Sequence, residues 1–149
     1  MERFEAEMPP FYVVGSADDW HHRRFKSRNR DMSELAALTA AIQAFRDARD
    51  WRQFHSLRNL IVSLNLEAAE LLELTQWKSD EEIDAMPGEP KSAEALRDEC
   101  ADVLLLLLLV ADKAGIDLAA AAYDKLRKNE DKYPVAKAYG SRAKYTEFS

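Results

Sequence analysis

The chain has 149 residues, 47% of them hydrophobic and 32% charged, with a formal net charge of −6. That length suits one domain, and with only 4 Gly and 5 Pro an all-β sandwich or barrel is disfavoured for want of turn residues. The apolar fraction is enough to bury a core, which argues against disorder, and the single cysteine, Cys100, excludes an intramolecular disulfide framework and a cysteine-based zinc site.

One free thiol fits a reducing, cytoplasmic compartment. The opening residues, MERFEAEMPP, contain no continuous apolar stretch of the signal-peptide kind. The longest apolar run, Val103 to Ala111, is far shorter than the roughly 20 residues of a membrane span, so no membrane contact is expected. Charge is uneven. Residues 125–149 hold 7 Lys and Arg against 3 Asp and Glu, a local +4 that leaves −10 on residues 1–124. An acidic body with a basic C-terminal strip suits long nucleic acid poorly. It suits a small anionic ligand held with metal ions, although ordinary surface charge gives the same numbers.

Residues 1–30 are aperiodic and read as an N-terminal arm; residues 31–149 read as the domain. The pair His21-His22 lacks a carboxylate at helical spacing and is an ordinary surface feature. A first helix is expected from Asp31–Ser33 to about Arg49, with Asp31 and Glu34 at capping-box spacing and Leu35, Leu38, Ile42 and Phe45 as its apolar stripe. A second is expected from about Ser56 to Trp77, with Leu57, Leu60, Ile61, Leu64, Leu71 and Leu74 as its core face. His55 could cap it. Lys78 to Lys91, with Pro87, Gly88 and Pro90, reads as a loop. The third helix is expected from Ser92, as cap, to Ala114, with Gly115 as the left-handed residue beyond its end. Its middle is apolar on all sides and should be the most buried part of the fold. The fourth begins behind Asp117 and must stop before Pro134. The expected fold is all-α, a four-helix-type bundle. So apolar a third helix is hard to cover within one chain, and an oligomer is expected.

The informative feature is where the acids sit. Glu67 and Glu70 are neighbours on the second helix, and Glu67 falls on the stripe of Leu60, Leu64, Leu71 and Leu74. Glu99 and Asp102 repeat the spacing on the third helix, on the stripe of Leu96, Val103 and Leu106. Inward carboxylates need compensation, either from basic partners or from a divalent cation. Oxygen ligands without His or Cys suit Mg²⁺ or Mn²⁺. Glu73 is rotated away from Glu67 and reads as a surface or supporting residue. No Glu-x-x-His is present, which argues against a di-iron bundle. Cys100 reads as a buried structural thiol. No Walker-type glycine loop is present, so phosphates would fall to metal and to basic residues. Lys125, Lys128, Asn129 and Lys132 share one face of the fourth helix, and Trp51 and Trp77 flank the second.

The order Glu67-x-x-Glu70, Glu99-x-x-Asp102, with RDWRQFHSLRNL (49–60), LEAAELLELTQWKSD (66–80), DECADVL (98–104) and KLRKNEDKYPV (125–135), resembles the all-α nucleoside triphosphate pyrophosphohydrolases of the MazG-like group, and within it the dCTP pyrophosphatase branch. The resemblance covers residues 31–148. It implies a helical bundle assembled as a dimer or tetramer, and Mg²⁺-dependent hydrolysis of a nucleoside triphosphate to monophosphate and pyrophosphate. It implies Glu67, Glu70, Glu99 and Asp102 as metal ligands, and Trp51, Trp77, Lys125, Asn129 and Tyr133 as substrate contacts. Glu70 is the candidate base for the attacking water. Two positions depart from the branch's pattern and one from the wider group's, where the branch tolerates a non-acid. Ile42 stands where dCTP-selective relatives carry a histidine, Leu106 where they carry a tyrosine, and Leu66 where the wider group has an acid. The first two remove polar groups and bear on base selectivity. A non-catalytic helical oligomer and a nucleotide-binding regulator are the competing readings.

Overall fold

A computed structural model describes residues 34–148. The expected arm (1–30), the His21-His22 pair and the start of the first helix at 31–33 lie outside them. Leu35–Ser149 form one unit, with no strand among the described residues.

Helix α1 occupies residues 34–47 and closes through Asp50, whose φ of 54° is left-handed. Asp is among the few side chains that accept that region readily. A 3₁₀ turn, Trp51–Phe54, leads to α2, Leu57–Glu73. Ser56, not His55, caps α2: its Oγ accepts from the Asn59 amide at 3.1 Å, and Asn59 Nδ2 donates to the Phe54 carbonyl at 2.9 Å. The helix stops at Glu73 rather than at Trp77. The amides of Thr75 and Gln76 turn to the carbonyls of Leu72 and Glu73, both at 3.0 Å, and Trp77 takes a left-handed φ of 64°.

The segment expected to be a loop contains a helix. Ser79 accepts from the Glu82 amide and the Glu82 carboxylate accepts from the Ser79 amide, a capping box that starts α3, Asp80–Ala85. A 3₁₀ turn, Met86–Gly88, follows. Helix α4, Pro90–Lys113, begins earlier than expected. Pro90 takes the first position, where its missing N–H costs nothing. Ser92 therefore lies inside the first turn and donates to Glu89 Oε2 at 3.3 Å instead of capping the helix. At the far end Gly115 is left-handed, φ 65°, and the Ile116 amide reaches back to the Ala111 carbonyl at 2.8 Å. Asp117 Oδ1 accepts from the Ala120 amide at 2.9 Å and caps α5, Leu118–Lys132, which ends before Pro134. The tail carries a short α6, Val135–Ala138, and a 3₁₀ turn, Tyr145–Glu147.

The main packing is α2 on α4, with α4 also on the Met86–Gly88 turn. The buried apolar side chains among the described residues are Leu60, Met86, Leu108, Leu109 and Ala111. Helix α4 supplies three of the five, so it is the centre of the core. Its flank is nevertheless open, with Leu104 exposed, and α5 buries no residue of its own. Leu57 and Ile61, expected in the core, are exposed on α2. Among the described residues no helix is long and apolar enough to cross a membrane.

Candidate active site

Helix packing brings three of the four expected acids together. Glu67 and Glu70 from α2 and Glu99 from α4 each offer a carboxylate oxygen, all within 4.8 Å of one another. Glu67 and Glu99 are partly buried, Glu70 exposed. Burial pushes the Glu67 carboxyl above its ordinary range, and the charges of Glu70, Asp102 and Glu99 push it further. Burial likewise raises Glu99, followed by Glu70, Asp102 and Asp98. Asp102 stands outside the tight cluster, yet its charge acts on both. Glu99 Oε2 is buried without a hydrogen-bond partner among the described residues.

That orphaned oxygen favours one of the two compensations open to inward acids. Among the described residues no Lys or Arg pairs with Glu67, Glu70, Glu99 or Asp102. Converging carboxylates with an unsatisfied buried lone pair suit a hard divalent cation. Glu73, three residues beyond Glu70, is exposed and outside the cluster.

Beside the acids opens a cleft of about 490 Å³ between α1, α2 and α4. Glu67 and Asp102 line one part of it. Its apolar wall is Ala41, Ile42 and Phe45 from α1 with Leu105, Leu106 and Leu109 from α4. Both positions that depart from the dCTP-selective pattern, Ile42 and Leu106, therefore face this space. Trp51 also lines it, its ring edge-on to Phe45 at 6.0 Å, with the Arg49 guanidinium 3.5 Å from the Phe45 centroid.

Arg46, His55 and Ser63 complete the lining. His55 does not cap α2. Burial holds its imidazole below the ordinary histidine value, with the Arg46 charge next in importance, and its Nδ1 is buried without a partner among the described residues. Arg46 was not expected here. Its signal is the one that exposed the acids: Arg46 follows Ile42 by one helical turn, so a charge sits on an apolar stripe.

The other expected substrate contacts are not gathered at the cleft. Trp77 is 94% exposed. Lys125 and Asn129 lie on α5, and Tyr133 at its end packs edge-on to Tyr145 and Phe148, at 5.8 and 5.9 Å. Cys100, expected to be buried, is exposed. With Glu99 turned toward α2, the next residue is rotated about 100° away.

Comparisons with known proteins give the family. Residues 62–148 match the MazG-like family. The dCTP pyrophosphatase 1 of Mus musculus is 39% identical over 136 residues, covering 91% of this chain and 78% of the mouse protein. The human protein of the same name is 42% identical over 103 residues, covering 69% of this chain and 61% of its own length. The crystal structure of a pyrophosphatase from Archaeoglobus fulgidus DSM 4304 superposes with a TM-score of 0.63 at 39% identity, covering 68% of this chain and 93% of the archaeal one. The match over residues 62–148 and these relatives show that the fold is all-α and that the chain is a member of the MazG-like family.

Proposed function

We propose that this protein is a nucleoside triphosphate pyrophosphohydrolase that cuts between the α and β phosphates, with dCTP or a modified pyrimidine deoxynucleotide as substrate. The carrying observation is the three-carboxylate cluster beside a cleft with an apolar wall, which offers a charged end for phosphates and an aromatic, apolar end for a base. Similarity to proteins named dCTP pyrophosphatase 1 supports the substrate class.

Glu67, Glu70, Glu99 and Asp102 would hold Mg²⁺, with Mn²⁺ as the alternative of the same ligand preference. Bound there, the cation would neutralise phosphate charge and lower the pKa of a water. Glu70, the most exposed of the clustered acids, would take the proton from the attacking water. Trp51 would stack on the base from the cleft wall. Lys125, Asn129 and Tyr133 are the candidates for holding the leaving pyrophosphate, and Trp77 for a further aromatic contact. These four stand outside the cleft of the single chain, which favours a homo-oligomer, dimer or tetramer. Apolar side chains open to solvent on α2 point the same way. A role in clearing unwanted nucleotides in the cytoplasm follows from this activity.

The test is a panel of deoxy- and ribonucleoside triphosphates incubated with Mg²⁺. Release of pyrophosphate and monophosphate is expected, without orthophosphate. Orthophosphate as first product, or no turnover of any nucleotide, would reject the reading.

A further inference from the structure

Arg46 is the buried charged side chain of the described residues, only 7% exposed, and it lines the cleft. Its Nε donates to Asp47 Oδ1 at 2.6 Å. Asp47 in turn accepts from Arg52 Nη2 at 3.0 Å through its other oxygen. A guanidinium carries five N–H donors in a rigid plane. Engaging Nε with Asp47 orients that plane and leaves the two terminal nitrogens, which take no hydrogen bond among the described residues. They are not among the buried atoms left without a partner, so they stay open to solvent and available to a bound group.

Its position within the cleft matters. Besides Asp47, the charge that acts on Arg46 is Asp112, ten residues beyond Asp102 on the same helix. That separation is about 15 Å along the axis. The cleft runs along α4 from Asp102 to Leu109, about 10 Å of helix. Arg46 therefore sits toward the end of the cleft away from the acids, on the α1 wall that also carries Ile42 and Phe45. A phosphate chain held at the acids puts the base, not a phosphate, at this end. Ile42 and Leu106 offer the base no hydrogen bonds.

We infer that Arg46 is a specificity-determining residue: its terminal N–H pair reads two adjacent acceptors on the edge of the bound base. Among pyrimidines this selects cytosine, whose O2 and N3 are adjacent acceptors. Thymine and uracil place an N3–H donor between their carbonyls, which meets a donor-only group. A mispaired buried donor penalises the wrong base more than apolar contact can. The inference rests on the hydrolase reading for the direction in which the nucleotide lies.

The experiment compares the full-length protein with Arg46→Met and Arg46→Lys. Methionine keeps an unbranched side chain and removes every donor; lysine keeps the charge without the paired fork. Pyrophosphate release from dCTP and dTTP is measured with Mg²⁺, and dCMP and dTMP binding by calorimetry. The wild type is expected to favour dCTP by about 10- to 100-fold in kcat/KM. Arg46→Met should bring the ratio near one through the KM for dCTP, and Arg46→Lys should lower it in part. A merely structural role for Arg46 would lower the melting temperature and leave the ratio intact. An unchanged ratio in a folded variant, or a wild type without a cytosine preference, overturns the inference. Should Arg46→Met not fold, Arg46→Lys decides by the same ratio. If the wild type releases no pyrophosphate, the hydrolase reading fails separately. Calorimetry then decides the role of Arg46: a dCMP preference lost in the variants supports it, and equal binding of dCMP and dTMP by the wild type refutes it.

Discussion

Glu67 on α2 and Glu99 on α4 hold carboxylate oxygens within 4.8 Å of each other, and Oε2 of Glu99 is buried without a partner among the described residues. Like charges so placed oppose folding unless a cation joins them. A ligand that binds only the folded state must raise stability. Titration with Mg²⁺ should therefore raise the melting temperature of the wild type in a saturable way. Glu99→Gln should melt higher than the wild type in chelator, because an amide removes the repulsion, and should lose the response to Mg²⁺. Its kcat/KM should drop by about 100-fold or more, above what loss of a supporting contact gives. A melting temperature indifferent to Mg²⁺ in the wild type would return the site to the reading of a non-catalytic oligomer.

The same pair sets a pH dependence. In the metal-free protein Glu67 and Glu99 titrate above their ordinary value of 4.5. The folded state then binds more protons than the unfolded state between 4.5 and the raised values, so stability falls as pH rises through that window. Asp47 works the other way. Hydrogen bonds from Arg46 and then Arg52 hold it down to about 2 from 3.8, so its contribution is present above 3.8 and lost as pH falls toward 2. In chelator, the melting temperature should rise as pH is lowered from neutral toward 4.5 and fall again below 3.8. Saturating Mg²⁺ should remove the first limb and keep the second, since metal binding requires the carboxylates ionised. A chelated protein whose stability declines steadily from pH 7 would contradict the assigned cluster.

Glu67 and Glu99 are legible in the amino-acid sequence, because a carboxylate on an apolar stripe breaks the helical pattern. Gly115 and Asp117 end one helix and start the next as their chemistry dictates. Helix α3 is not legible, because six residues are too few for a periodicity and its capping box lies in a polar stretch. Arg46 breaks an apolar stripe as the acids do, but a long side chain near a helix end ordinarily carries its charge out to water. Leu57 and Ile61 show the harder limit. Periodicity marks a face that avoids water and does not say whether the same chain covers it.

Trp77 combines two unfavourable features, a left-handed backbone at φ 64° and a ring 94% exposed. A bulky aromatic rarely accepts that region, and such strain costs on the order of 1–3 kcal/mol. Glycine adopts it freely. Trp77→Gly should thus stabilise the isolated fold by roughly 1 kcal/mol. If the ring serves the nucleotide, as proposed, the KM should rise severalfold while kcat changes less. Greater stability together with unchanged KM would remove Trp77 from the site.

The outer side of α2 carries Val62 at 52%, Leu66 at 58% and Leu72 at 69% exposure. Val62 and Leu66 are one turn apart and adjoin on the helix surface. Contiguous apolar surface of this kind marks an interface more often than a free face. Leu104 on α4 is exposed as well. A second copy would cover both at once, and a stable contact needs about 1,000 Å² or more. The wild type should therefore scatter light as a multiple of the 17.0 kDa chain. Val62→Glu with Leu66→Glu should shift it toward a single chain, because paired carboxylates cannot be desolvated there without partners. Hydrolysis should fall in parallel, since Lys125, Asn129, Tyr133 and Trp77 stand away from the cleft of their own chain. A fully active wild-type monomer would require those residues to reach the nucleotide by a rearrangement within one chain, or not at all.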